Sequence, residues 1–342
     1  MATAPKGALL VGSVPLENSD EVFRTAASIL GDHLERIPDG ETGDRLNWIG
    51  WQIAVFQQHP DLEPAPVDPE HYAPLPMSQM REGVDASRLS FDSLGYSEAA
   101  LESWAVFSQL QEEGVIPAST RFQVTFPTPL APITSFVHLN AQAAVEPAYE
   151  AAMLRELADV LAAISHDRLA IQWDVAVEFG VLEGIWPVPF KDLMGGIAER
   201  IIRLSGHVPN DVEMGFHLCY GDFQHQHFVE PEDTGRLVEL ANRVSASVER
   251  PIQWIHLPVP RERTDDAYFA PLAGLDLHPE TKLYLGLIHH TDGIGGARQR
   301  IAAAQKVVSD FGVATECGFG RRPSEQVSRL MEIHREVAAP AN

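Results

Sequence analysis

His217 and Cys219 stand two residues apart at the end of a short apolar run, in the segment EMGFHLCYGD over 213–222. In an extended strand, residues i and i+2 point to the same face, so an imidazole nitrogen and a sulfur project side by side. That pair is half of a metal site. The chain has two cysteines in all, and the other, Cys317, follows a second apolar run in VVSDFGVATECGFG. Thiolate and imidazole are donors that zinc prefers, and a catalytic zinc keeps three protein ligands with one position open. Alone, the H-x-C spacing is a weak motif, found more often in two residues that simply pack. A disulfide is the competing use of the two thiols, but a chain of 342 residues builds its core without a staple.

These residues must be presented by strands that alternate with helices. Residues 7–13, GALLVGS, read as a buried strand that ends in the turn residues Gly12-Ser13-Val14-Pro15. A helix over EVFRTAASILGDHL follows, capped by Asn18-Ser19-Asp20. A second strand at 33–37 leads into the glycine-containing loop that carries Asp39, Glu41, Asp44 and Arg45. Residues 46–117 then leave this rhythm: proline clusters in DLEPAPVDPEHYAPLP precede an amphipathic helix that stops at Gly114. Trp48, Trp51 and Tyr96 in this stretch are candidates either for a substrate wall or for plain core. Further strands are predicted at 121–126, 167–174, 213–219, 251–256 and 282–288, the last of these ending in His289-His290, and an eighth in the apolar run that leads to Cys317. Eight such candidates predict one α/β domain over 1–342, a (β/α)8 TIM barrel with a long insertion, about 46–117, after the second strand. The marked residues all fall at the carboxyl ends of strands, the face on which barrels build active sites.

HLCYGD and the later ECGFGRR resemble the zinc segments of the catalytic barrel of cobalamin-independent methionine synthase. That family belongs to a wider set of zinc-dependent alkyltransferases sharing a (β/α)8 barrel with uroporphyrinogen decarboxylase. The resemblance spans roughly the whole chain and implies a zinc-dependent methyl- or alkyltransferase. A small-molecule thiol would be activated as a zinc thiolate and alkylated by a second small molecule, the alkyl donor. It implies that Gly12 and Ser13 help hold the substrate and that Glu41 and Asp174 bind its amino group. The fourth strand of the family reads I-Q-x-D-E-P; here Ile171-Gln172-Trp173-Asp174 match but Val175-Ala176 replace E-P, which leaves specificity for an amino acid open. The family has a glutamate ligand where this chain has His256. Either the metal set is His217, Cys219, His256 and Cys317, or His256 stands aside and a position stays open. His289 or His290 matches the proposed proton donor to the leaving group, with a packed histidine as the alternative. Glu178 is a further carboxylate candidate, and His225 and His227 are further histidines. Two other readings of the same residues remain: a zinc-dependent lyase or hydrolase in which the metal activates water or a substrate oxygen, and a structural zinc protein.

Composition narrows the partners. Forty-eight acidic against 25 basic residues give a net charge of −23, which argues against nucleic acid or an anionic membrane as partner. No apolar run is long enough to span a bilayer, and the N-terminal apolar patch is too short for a signal peptide. The expected setting is the cytoplasm.

Overall fold

Strands that are apolar along their whole length, rather than at alternate positions, call for a sheet covered on both faces, the condition of parallel sheets. The computed structural model describes residues 3–66, 75–222 and 226–341 and shows such a sheet. In chain order the strands are β1 (Arg36–Pro38), β2 (Leu62–Ala65), β3 (Met77–Met80), β4 (Arg121–Pro127), β5 (Leu169–Val175), β6 (Glu213–Leu218), β7 (Trp254–Pro258), β8 (Lys282–Ile288) and β9 (Gly312–Thr315). Seven of them form one parallel sheet in the order β1-β4-β5-β6-β7-β8-β9, while β2 and β3 pair as a separate antiparallel hairpin. Helices such as Ser19–Leu30, Leu139–Ala163, Leu193–Ser205 and Gly235–Ser247 connect successive strands and bury their apolar faces.

The sheet curls. Ala8 makes parallel bridges to Leu34, just ahead of β1, and to Val313 in β9, so residues 6–9 touch both ends of the strand order. Backbone hydrogen bonds Ala8 N–H to His33 O (2.8 Å) and Leu9 N–H to Val313 O (2.9 Å) make the contact. The strand expected at 7–13 is reduced to isolated bridges at Lys6 and Ala8, and Gly7 between them, at φ +80°, lies outside the extended region. Inside the curl, Leu9, Ala170, Trp254, Tyr284 and Ala314 form a small core of their own. Gly215 makes room for it: a Cβ there would lie 2.0 Å from the Trp254 ring. The side-chain amides of Gln123 and Gln172 reach across and donate to Val11 O at 2.9 and 2.7 Å, fixing the N-terminal segment.

The stretch 46–117 holds short 3-10 turns, the helix Ile53–Gln57, the β2–β3 hairpin and the helix Tyr96–Glu112. That last helix begins at Gly95, which has no side chain to cap the free N–H groups. Glu156, from the neighbouring helix, supplies the acceptor: its carboxylate takes the N–H groups of Leu94, Gly95, Tyr96 and Ser97, the last three at 3.0, 2.6 and 3.0 Å. Among the described residues no helix is long and apolar enough to cross a membrane.

Candidate metal centre and cavity

Strand register lines up the polar residues. Asp174 of β5 pairs with His217 of β6, and His217 pairs with His256 of β7, so the three form one row across adjacent strands. The run predicted at 251–256 lies three residues further on as Trp254–Pro258, so His256 sits within its strand rather than at its end. Leu257 and Pro258 continue the run because a final proline is tolerated where no ladder N–H is needed.

One ligand atom each from His217, Cys219 and Cys317 lie within 4.8 Å of one another, on residues that are buried or half-buried. The two thiols act on each other: that interaction, with burial, pushes the Cys219 thiol up, while the same interaction and the Arg321 guanidinium hold Cys317 below the usual thiol range. Arg321 lies 3.4 Å from the Cys317 sulfur and is clamped by Asp222 at 2.7 and 3.0 Å. His256 is not in this group: its Nδ1 lies 2.7 Å from His217 Nδ1 and its Nε2 lies 3.0 Å from Thr315 O. Burial pushes the pKa of His217 well down and that of His256 to about 3, so both rings are neutral at pH 7. Two sulfurs and an imidazole match the donors and the three-ligand count of a catalytic zinc.

The Gly12-Ser13 turn packs against this centre. Ser13 O accepts from Phe319 N–H at 2.7 Å, and a Cβ on Gly318 would fall 2.3 Å from Ser13 Oγ. A Cβ on Gly12 would likewise meet the Glu41 carboxylate at 2.9 Å, so both glycines allow close approach. Glu41 itself is held at φ +47° with its N–H on Asp39 Oδ1. Burial, then the neighbouring Asp39 charge, pushes its carboxyl up to about 7. Asp174 accepts from Gln172 Nε2 at 2.9 Å and from Trp48 Nε1 at 3.0 Å, and burial with the Glu41 and Cys317 charges pushes it well above the carboxylate range.

Most of these residues line a cavity of about 640 Å³. Gly12, Ser13, Glu41, Asp174, His217, Cys219 and Cys317 lie at its polar end, with Asp222 and Arg321. Aromatic and aliphatic side chains line the remainder: Trp48, Trp51, Leu75, Phe136, Trp186 and Phe228. Trp186 is seated directly on the Gly180 backbone, where a Cβ would collide with its ring at 1.9 Å. Among the described residues, the two non-glycine residues with positive φ, Glu41 and Trp48, both line this cavity, and such strain concentrates at functional sites.

His289 and His290 are not among the lining residues. His289 is buried, with Nε2 2.9 Å from Val259 O and Nδ1 3.4 Å from Glu316. His227 approaches the same carboxylate at 3.3 Å. Burial opposes the Glu316 charge, but these two histidines hold its carboxyl far below the ordinary range, and Glu316 in turn lifts His227 to about 9. Glu178 is buried beneath the cavity wall, hydrogen-bonded to Thr128 and raised by burial to about 7. Tyr96 is core, and His225 lies outside the described residues. Sequence reasoning passed over Asp222, Trp186 and Phe228, which come together with Arg321 only in three dimensions.

No family model matches the sequence, and no curated protein matches it. Solved structures do. A B12-independent methionine synthase from Shewanella sp. W3-18-1, in complex with selenomethionine, superposes with a TM-score of 0.64 at 14% identity, covering 98% of this chain and 96% of that one. A Listeria monocytogenes protein provisionally named a vitamin-B12-independent methionine synthase gives 0.56 at 14% identity, over 99% and 100% of the two chains. A methyltransferase from Methanosarcina mazei gives 0.55 at 10% identity, over 98% and 94%. At these identities the shared property is the fold, along the whole of each chain.

Proposed function

We propose that this chain is a zinc-dependent methyl- or alkyltransferase that activates a substrate thiol, built as a single (β/α)8 barrel in which residues 7–13 supply the first strand and 46–117 an insertion. The observation that carries the reading is the convergence of His217, Cys219 and Cys317 on the wall of a cavity at the carboxyl ends of the strands. The named activities of the structural neighbours agree with it. His217, Cys219 and Cys317 would hold the zinc. When bound, zinc supplies a Lewis-acidic position that lowers the pKa of a substrate thiol to neutrality.

The chain's own groups do the rest. Asp174, fixed by Gln172 and Trp48, and Glu41 orient the thiol's polar end. Glu41, with a pKa of about 7, faces the cavity and can give a proton to the leaving group. His289, with both nitrogens directed at protein acceptors, is better suited to fixing Glu316 beside Cys317. Trp48, Trp51, Trp186 and Phe228 exclude water from the reacting carbon and favour an uncharged, apolar alkyl group.

Metal analysis beside a transfer assay tests this. About one zinc per chain, lost in Cys317→Ser, together with thiol-dependent transfer of a methyl or alkyl group, is the expected result. A wild-type protein that binds no zinc would falsify the reading, and turnover that needs no thiol would move the site to the lyase or hydrolase class.

A further inference from the structure

We propose that His256 is a positioning residue for the metal centre, fixing His217 in the Nδ1–H tautomer so that Nε2 is left as the donor atom; this rests on the metal reading above. The direction of the relay follows from its far end. Thr315 O is a carbonyl and can only accept, so His256 Nε2, 3.0 Å away, carries the ring's proton. His256 is wholly buried, and among the described residues its ring meets only the Thr315 carbonyl and His217 at hydrogen-bond distance, neither of them an anion that could hold a second ring proton, which leaves its Nδ1 as a bare acceptor. His217 Nδ1, 2.7 Å away, must then donate, and the only lone pair remaining on that imidazole is at Nε2.

The scaffold is built around this relay. His217 and His256 are register partners on β6 and β7, while Thr315 ends β9, with β8 between β7 and β9. His256 can reach the Thr315 carbonyl because β8 carries Gly286 there: a Cβ at Gly286 would lie 3.0 Å from Thr315 O and 2.7 Å from Glu316 Cα. The β8–β9 ladder shifts register between Leu285 and Ile288, and Thr315 pairs with Ile288 just beyond the shift. Thr315 Oγ1 in turn donates to Cys317 O at 2.6 Å. His256 therefore ties the strand end that carries His217 to the strand end that carries Cys317. A fourth-ligand role does not fit these contacts, since both of its nitrogens are already engaged.

Three measurements test the proposal. Long-range nitrogen–proton NMR on the metal-free, unmutated protein is expected to show protonated Nδ1 and bare Nε2 on His217, and the reverse on His256. A His256 ring with its proton on Nδ1 overturns the relay whatever the metal does. X-ray absorption on zinc-loaded protein is expected to show one imidazole and two sulfurs from the protein; two imidazoles would make His256 a ligand and refute the positioning role while the metal reading stands. In His256→Leu, zinc affinity by chelator competition is expected to fall about 10–100-fold with one metal per chain retained. His256→Gln, which can still accept and donate, should recover part of the loss and guards against a variant that does not fold. Equal affinity in all three proteins sinks the proposal. A protein that binds no zinc overturns the metal reading and this role with it, even if the tautomers come out as expected.

Discussion

At the scale of single residues, Glu41 carries the most chemistry per atom. It is held at positive φ, faces the cavity, and has a carboxyl raised from an ordinary 4.5 to about 7 by burial and by Asp39. A raised folded-state pKa means that the folded protein binds the extra proton, so the group's stabilising contribution is complete below about pH 4.5 and is lost as pH rises through about 7. Glu41→Gln, which cannot ionise, is expected to match the wild type at pH 4 and to be more stable than it at pH 8, by on the order of 2–3 kcal/mol. Unfolding midpoints of both proteins across that range would show it; parallel curves would mean that Glu41 titrates normally. If Glu41 is the acid for the leaving group, the wild-type rate should also fall above pH 7, and the variant should lose that limb along with most of its rate.

Elements decide which residues can meet, and here the sequence was only partly legible. His217 and Cys219 could be read because an i, i+2 spacing is local to one strand, and Cys317 because an apolar run led up to it. His256 could not be placed, because whether it ligates or backs up His217 depends on cross-strand register and on a gap at Gly286 on the adjacent strand. The Asp222–Arg321 clamp joins residues 99 positions apart, which no periodicity encodes. The aromatic wall at 48–51 comes from short 3-10 turns, which carry no helical or strand repeat. Glu156 is a similar case: nothing in its local sequence marks it as the cap of a helix some sixty positions earlier. That helix carries Ser103, whose hydroxyl binds Asp39 at 2.9 Å, and Asp39 anchors the Glu41 backbone, so the cap bears on the cavity as well. Glu156→Ala would strand several buried N–H groups and is expected to cost about 3 kcal/mol, with Glu156→Gln costing less because it keeps an acceptor. Equal and small losses in urea unfolding would show that water replaces the carboxylate.

The whole molecule sets what can approach the cavity. A net charge of −23 surrounds an entrance that includes Asp44, and the cationic groups nearest the centre are already matched, Arg321 by Asp222 and Arg45 by Asp39. A polyanionic donor such as a polyglutamylated folate therefore meets repulsion on approach, whereas an uncharged alkyl donor meets none. Raising ionic strength from about 0.01 M to 0.15 M shortens the screening length from about 30 Å to about 8 Å. Over that range kcat/KM for a polyanionic donor is expected to rise severalfold, and that for an uncharged donor to stay flat, because salt removes a barrier only for the charged one. The apolar walls act after encounter and are insensitive to salt, so the uncharged donor should also give the higher kcat/KM throughout. A polyanionic donor whose rate falls with salt would mean that attraction guides it in, and would place a basic docking patch on the surface despite the overall charge.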